Sequence, residues 1–292
     1  MFIIKYRKIF VIISAVLVSL SIASIVLFGL NFGIDFKGGS LLEVEYLNSR
    51  PEQTIVEEAI KPLAIGEVLI QPIGENGFSI KTRDITEQER SQIMTTLGSD
   101  ATEKSFTSIG PSVGAELARK SIISFILVSL GIIFWIAFSF RKVSKPVSSF
   151  KYGFIAIIAL IHDVTISAGV FALLGYLTGA EVDTLFVVAI LTVLGLSVSD
   201  TIVVFDRIRE NIRVGHFKTF EETVGRSLDQ VYTRSIATSS TVILALLALV
   251  FFGPASTRVF SIMLTAGMFF GTYSSIFLAS PLLVLVNNSQ KK

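Results

Sequence analysis

Six long apolar stretches constrain the fold of this chain more than any other feature of its sequence. A helix that crosses the roughly 30 Å hydrocarbon core of a bilayer takes about 17–25 mostly apolar residues. The stretches are Ile9–Leu30, Ser121–Phe140, Tyr152–Leu177, Thr184–Phe205, Ser235–Phe252 and Val259–Val286. Only 16% of the 292 residues are charged, against roughly 25% in soluble domains. The pattern predicts a multi-pass α-helical membrane protein with six transmembrane helices.

The first apolar stretch is expected to be a transmembrane helix rather than a signal peptide. A cleaved signal has an apolar region of about 7–15 residues and a small-residue cleavage site. Ile9–Leu30 is longer and continues into NFGIDFKGGS without such a site. We therefore predict a cytoplasmic N-terminus and first helix over residues 1–30.

Basic residues are distributed unevenly between the connections. The segments with 3, 4, 6 and 2 Lys or Arg residues are the N-terminus, Arg141–Lys151, Arg207–Arg234 and Lys291–Lys292. The two short connections on the opposite side contain only Arg258. Because short cytoplasmic loops are enriched in Lys and Arg, both termini are predicted to be cytoplasmic. Helices 2–6 then occupy residues 121–286, and residues 287–292 form a cytoplasmic tail.

The polar block at residues 31–120 is predicted to form one small extracytoplasmic domain. Its strand patterns are Leu41–Leu47, Glu67–Ile73, Gly77–Arg83 and Thr102–Ile109, and its helix patterns are Pro51–Ile60 and Thr86–Leu97. A GENG turn between the second and third strands indicates a hairpin. The order β-α-β-β-α-β is typical of a ferredoxin-like α+β domain.

Few residues are available for enzymatic chemistry. The chain has no cysteine, which excludes disulfides, Cys-ligated zinc and thiol catalysis. It contains neither of the glycine-rich phosphate-binding motifs. Its two histidines, His162 and His216, are separated by a membrane span and a loop, which argues against a His-based metal site. We expect no enzyme activity, no cofactor, no metal and no nucleic-acid partner.

Asp200 is the leading functional candidate, because a lone carboxylate in an apolar helix is costly. It follows Asp183 by 17 residues, about 25 Å along a helix at 1.5 Å per residue, which places it in the cytoplasmic third of the fourth span. Ser197 and Thr201 are expected to be its polar neighbours. The alternative is that Asp200 is a packing residue whose carboxylate is satisfied between helices.

His162 and Asp163 lie near the middle of the third span and form a second candidate. Histidine titrates near neutrality, so the pair is suited to a proton relay. Equally, the pair can serve only to hold helices together by hydrogen bonds.

Arg234 opens the fifth span in the segment TRSIATSSTV. Thr238 and Thr241 follow on the same helical face, and we expect this face to point into the bundle or a wet crevice. The alternative is an arginine that extends to the cytoplasmic interface. Before it, the polar segment Arg207–Thr233 is predicted to lie along the cytoplasmic surface, with Thr219 and Glu222 as a capping box; a solvated loop is the alternative.

Four segments carry a resemblance to a known family. They are GIDFKGGSLLEVEY after the first stretch, SIGPSVGAEL before the second, ALIHDVTISAG in the third and GLSVSDTIVVFDRIREN in the fourth. Together with TRSIATS in the fifth, they cover essentially the whole chain in order. The chain resembles the SecF family, the six-helix subunits of the bacterial SecDF protein-export complex.

The resemblance implies a half bundle of the resistance-nodulation-division (RND) type in the bacterial plasma (inner) membrane. It implies SecD as partner, beside the SecYEG channel and the SecA ATPase, acting on translocating unfolded polypeptide. The implied energy source is the proton or sodium motive force, so that H⁺ or Na⁺ is the coupling ion. By motif, Asp200 and Arg234 correspond to the family's functional intramembrane charges, with His162 and Asp163 as secondary candidates. Protonation of Asp200 would remove its attraction to Arg234.

Two other functions remain open at this point. One is a subunit of an RND-type exporter of small molecules or lipids, although such proteins usually carry two six-helix halves and larger external domains. The other is an assembly scaffold that transduces no energy, in which the intramembrane charges only hold SecD.

Overall fold

The computed structural model describes residues 2–139, 148–215 and 217–289. His216, the tail Lys291–Lys292 and most of the basic connection Arg141–Lys151 lie outside this range. Within it, six helical segments are long and apolar enough to cross a membrane, so the predicted multi-pass helical fold is confirmed. The chain divides into two compact units, one formed by the residues up to Asn31 and from Ser124 onward, the other by Phe32–Ile123.

The elements alternate between the two units along the chain. In order they are α1 (Phe2–Lys5), α2 (Arg7–Phe28), α3 (Ile34–Lys37), β1 (Gly39–Tyr46), α4 (Gln53–Ile60), a 3₁₀ turn (Lys61–Leu63), β2 (Leu69–Ile73), β3 (Gly77–Thr82), α5 (Glu87–Leu97), β4 (Ala101–Ile109), α6 (Pro111–Ser139), α7 (Ser149–Thr178), α8 (Thr184–Val214), α9 (Phe220–Phe252), α10 (Ala255–Ser274), a π-helical turn (Ser275–Ala279) and α11 (Ser280–Ser289).

The smaller unit has the ferredoxin-like topology that the sequence predicts. Its sheet order is β2-β3-β1-β4, and all three neighbouring pairs are antiparallel. Strand residues such as Leu42, Val44 and Ile80 are buried together with Val56 and Ile93 of the two helices. This α+β core forms because alternate residues of each strand are apolar and point to one face of the sheet.

Two adjacent glycines allow tight packing inside the smaller unit. A Cβ atom on Gly38 would lie 2.8 Å from the Pro111 Cα, and one on Gly39 would lie 2.6 Å from the Thr82 carbonyl oxygen. Both have positive φ angles, 78° and 133°, which side chains rarely adopt. The pair thus lets the start of β1 pass close to the backbone at the end of β3 and the start of α6.

In the helical unit, α7, α8 and the last span are the most buried, whereas α2, α6 and α9 remain largely exposed. Glycine contacts hold α8 and α10 close together. A Cβ atom on Gly267 would lie 2.1 Å from Val193 Cγ2, and one on Gly271 would lie 3.1 Å from Ser197 Cβ. The close approach brings polar side chains of the two helices within hydrogen-bonding distance.

The segment Arg207–Thr233 differs from its prediction. Most of it extends α8 and α9 rather than forming a separate surface segment or a solvated loop. Asn211 on α8 donates hydrogen bonds to Ser227 and Gln230 on α9, each at 2.8 Å. Thr219 caps α9 through Glu222, as predicted. The Glu222 side chain, however, accepts from the Lys218 backbone, so the predicted reciprocal capping bond is replaced.

Candidate functional site

Asp200 lies in the middle of α8, partly buried, with its carboxylate directed toward two other helices. Its Oδ2 accepts hydrogen bonds from Thr272 Oγ1 of α10 at 3.1 Å and Ser239 Oγ of α9 at 3.3 Å. The two hydroxyls also contact each other, at 2.6 Å. Asp200 is therefore surrounded by neutral donors on the helices against which α8 packs.

Asp163 is fully buried on α7 and belongs to a second polar cluster. Its Oδ1 lies 2.8 Å from His162 Nδ1, and its Oδ2 accepts hydrogen bonds from Ser274 of α10 at 2.7 Å and from Ser197 of α8. The other ring nitrogen of His162 is buried and has no hydrogen-bond partner within the described residues. The structure thus brings α7, α8 and α10 together around a carboxylate.

The two clusters share the same pair of helices. Asp200 and Ser197 are one helical turn apart on α8, and Thr272 and Ser274 are two residues apart on α10. Between the clusters, Thr201 and Ser275 form a hydroxyl pair at 2.8 Å. Both carboxylates therefore bind to one short hydroxyl-bearing segment of α10 and the π-helical turn.

Arg234 is placed differently from the prediction. Arg234, Thr238 and Thr241 are all exposed, and the face of α9 that enters the bundle carries Ser235 and Ser239 instead. Among the ion pairs and hydrogen bonds given for the described residues, none joins Arg234 to Asp200. Successive residues on a helix are 100° apart, so a shift of one residue changes which face is buried.

The hydrogen-bond partners expected for Asp200 also need correction. Ser197 donates to Asp163 rather than Asp200, and Thr201 pairs with Ser275. The residues that contact Asp200, Ser239 and Thr272, were not singled out by the sequence reasoning. The signal for Thr272 was the hydroxyl-rich segment TYSS inside an otherwise apolar span.

Chemically, the Asp200 cluster consists of oxygen atoms only. A carboxylate held by hydroxyls can take up a proton or a hard cation, since oxygen ligands suit such ions. Within the described residues no group of three or more His, Asp and Glu side chains converges as a metal site. The geometry therefore favours reversible exchange of a small monovalent ion over structural metal binding.

Comparisons with known families account for almost the entire chain. The family model "Protein export membrane protein SecD/SecF, C-terminal" matches residues 89–289, and the model of the SecD/SecF GG motif matches residues 23–46. The second match contains Gly38 and Gly39, whose packing is described above. Asp163, Asp200 and their hydroxyl partners all lie within the first match.

Similar proteins share this length and name. The protein translocase subunit SecF of Thermobaculum terrenum is 42% identical over 302 residues, covering 98% of this chain and 94% of the relative. The SecF of Anaerolinea thermophila is 38% identical over 285 residues, covering 96% and 92%. Such identity over the full length of curated relatives is shared descent, not a common fold alone.

A solved structure agrees with the fold. The crystal structure of SecDF from Thermus thermophilus, a translocon-associated membrane protein, is 30% identical with a TM-score of 0.84 and covers 98% of this chain. This chain spans only 38% of that longer protein. On the strength of the family models, the full-length relatives and this structure, the chain belongs to the SecF family of protein translocase subunits.

Proposed function

We propose that this chain works with a SecD partner in the plasma membrane of a bacterium, where it uses the proton or sodium motive force to drive or complete polypeptide export. Asp200 is the residue that binds the coupling ion. In this proposal both termini are cytoplasmic, and the α+β unit is extracytoplasmic. SecYEG and SecA act beside the complex and deliver the unfolded polypeptide.

The observation that carries the proposal is the setting of the Asp200 carboxylate. It receives hydrogen bonds from two neutral hydroxyls, Thr272 and Ser239, in the middle of a helix that can span a membrane. An intramembrane carboxylate marks an ion pathway far more often than a packing site. Because its partners are neutral, a gain or loss of a cation changes the net charge of the cluster and hence the packing of three helices.

The energy available is sufficient for such a change. One elementary charge that crosses 100 mV releases about 2.3 kcal/mol. A free-energy difference of that size changes the ratio of two helix packings by roughly fiftyfold, since about 1.4 kcal/mol is tenfold. The expected attraction of Asp200 to Arg234 is not needed for this mechanism, because the hydroxyl cluster itself responds to the charge.

The exposed surface next to Asp200 supports a membrane-embedded protein partner. Ser199 and Arg234 are exposed, and Asp200 is only partly buried. A charged side chain that faces lipid is unfavourable, so this surface requires a cover that is itself protein. The relative of known structure is a SecDF protein, which makes a SecD subunit the natural cover.

The test is gradient-dependent export by vesicles that contain this chain and SecD together with SecYEG and SecA. We expect Asp200→Asn to lower export to the level seen when the gradient is collapsed, with the variant inserted at normal levels. Asp206→Asn, an exposed carboxylate six residues later on the same helix, is the matched control and should leave export unchanged.

Other outcomes would favour the remaining functions. Unimpaired export and ion uptake by Asp200→Asn would refute the proposal. Loss of the SecD complex after neutralisation of both Asp200 and Arg234, with export by assembled complexes unaffected, would favour an assembly scaffold. Full transport of a small molecule or lipid by this chain without SecD would favour an RND-type exporter.

A further inference from the structure

The segment Thr272–Ser275 contacts three neighbouring helices within four residues. Thr272 donates to Asp200 on α8 and contacts Ser239 on α9, and Ser274 donates to Asp163 on α7. Ser275 pairs with Thr201 on α8. A change in charge at either carboxylate must therefore alter the forces on the same stretch of backbone.

The helix is irregular at this point. The turn Ser275–Ala279 is π-helical, and Ser280 Oγ donates to the Ser275 carbonyl oxygen at 3.2 Å. A π-helical turn contains an additional residue and is frequently found at functional sites. A change between α and π geometry here would rotate the preceding residues, Thr272–Ser275, relative to α11.

Tyr273, the remaining residue of the segment, points toward the first span. Its hydroxyl donates to the Phe10 carbonyl oxygen of α2 at 3.3 Å and lies 3.5 Å from Ser14 Oγ. Its ring stacks with His162, at 6.3 Å between centroids and 20° between planes, and with Phe277 at 5.2 Å. Phe277 in turn packs against Phe10 at 4.8 Å.

Along its other half, α2 is tightly packed against α7. Ser24 Oγ donates to the Gly169 carbonyl oxygen at 2.9 Å, and the bare Cα of Gly169 faces Ser21. In the sequence, α2 leads directly into the α+β unit. A force applied to α2 near Phe10 is thus applied to the helix that precedes this unit.

From these contacts we infer that Tyr273 transmits the charge state of the Asp163 and Asp200 clusters to the first span. The inference rests on the proposed role of Asp200 in ion binding. Tyr273 is a positioning residue, since its hydroxyl contacts α2 and neither carboxylate. The titratable groups around it are His162 and Asp163 on α7 and Asp200 on α8. Binding of the coupling ion at Asp200 changes the pull on Thr272, and Tyr273 moves with its neighbour.

A single cysteine provides the reporter, because the chain has none of its own. Asn31 is exposed and follows α2 after two residues, so Asn31→Cys is combined with a cysteine-free SecD in proteoliposomes. The rate of labelling by a membrane-impermeant maleimide is measured with and without an imposed ion gradient. Ion uptake is measured in the same vesicles with a trapped indicator dye.

We expect the gradient to change the labelling rate in the parent protein. Tyr273→Phe, which removes one oxygen atom, should abolish this change while ion uptake continues. Tyr232→Phe on the exposed side of α9 is the matched control and should retain the change. Ser14→Ala, which removes the second contact on α2, should weaken the change and leave ion uptake intact.

The two proposals fail in different ways. A labelling change that persists in both Tyr273→Phe and Ser14→Ala overturns the inference. The inference is also overturned, with the proposed function intact, if the parent protein takes up ions but shows no change in labelling. If uptake is absent and Asp200→Asn behaves like the parent protein, the proposed function fails and the inference fails with it.

Discussion

At the scale of single residues, the chain contains two carboxylates in very different surroundings. Asp200 is held by two hydroxyls and remains partly accessible, whereas Asp163 is fully buried with a histidine and two serines. A buried carboxylate keeps its place only when its hydrogen bonds are complete. Asp163 is therefore a structural anchor of the bundle as well as a candidate for ion coupling.

Replacement of Asp163 tests this anchoring role. Asp163→Ala leaves His162, Ser197 and Ser274 without their common acceptor, and removal of one partner from such a buried group costs about 3–5 kcal/mol. Asp163→Asn keeps one acceptor oxygen and should cost less. The measurement is the thermal unfolding midpoint of the detergent-solubilised complex with SecD. Equal midpoints for the two variants would show that the acceptor oxygen is unimportant.

A second carboxylate can be tested outside the membrane. Glu89 of α5 accepts hydrogen bonds from Arg83 and from the Thr86 backbone, and these lower its pKa to about 2. Because the pKa is lowered on folding, the resulting stabilisation is present above the ordinary value of about 4.3 and is lost as the pH falls toward 2. The ion pair is exposed, so its contribution to stability is small.

We expect Arg83→Gln to raise the pKa of Glu89 toward its ordinary value, because Arg83 is its main partner. The titration is followed by NMR on the full chain with carboxyl-labelled glutamate. Arg50→Gln is the control, since Arg50 donates to the Gly74 carbonyl oxygen in the same unit. A Glu89 pKa that does not move in Arg83→Gln would show that the capping box alone lowers it.

At the scale of elements, bare glycine surfaces decide how closely the helices approach. Gly169 lets α7 contact α2, and Gly267 and Gly271 let α10 contact α8. Helix association in membranes depends on such small residues, because lipid provides no hydrophobic drive between helices. The spacing of Gly267 and Gly271 is visible in the sequence, whereas Gly169 acts alone and carries no motif.

Gly169→Ala should destabilise the contact between α2 and α7. The new Cβ would lie 2.5 Å from the Ser21 Cβ and 2.6 Å from its Cα, and the backbone cannot yield as a flexible side chain can. Overpacking of this kind costs about 1–3 kcal/mol. Gly195→Ala on α8 has no atom within 4 Å of the new Cβ and serves as the control in the same thermal unfolding measurement. Equal midpoints would contradict the predicted clash.

At the scale of the whole molecule, half of the spanning helices are poorly covered. The apolar windows of α2, α6 and α9 are 11%, 6% and 17% buried, whereas that of the last span is 61% buried. Lipid covers apolar surface without cost, but it does not cover Arg234 or the exposed edge of Asp200. This surface is where a SecD subunit is required in the proposed complex.

Cross-linking from single cysteines locates that partner. We expect Ser199→Cys, which is exposed beside Asp200, to cross-link to SecD when a bifunctional thiol reagent is added to membranes. Ser235→Cys is buried on the inner face of α9 and should give no product. An intact complex without a Ser199→Cys product would place SecD on another face.

The sequence and the structure contribute at different levels to these conclusions. Six spans, the β-α-β-β-α-β order and the importance of Asp200 follow from the sequence, because hydrophobic periodicity and the cost of a lone charge are local properties. The predicted elements of the α+β unit begin and end within two residues of those observed. The resemblance to SecF was likewise carried by contiguous segments.

Only the tertiary structure decided which hydroxyl serves which carboxylate. The sequence placed Ser197 beside Asp200, yet it donates to Asp163, and it favoured the Arg234 face of α9, yet the Ser239 face is buried. These choices depend on the rotation of each helix about its axis, and a single residue corresponds to 100°. In an apolar span the sequence hardly constrains that rotation. It is set instead by contacts between distant helices, such as those of Gly267 with Val193 and Gly271 with Ser197.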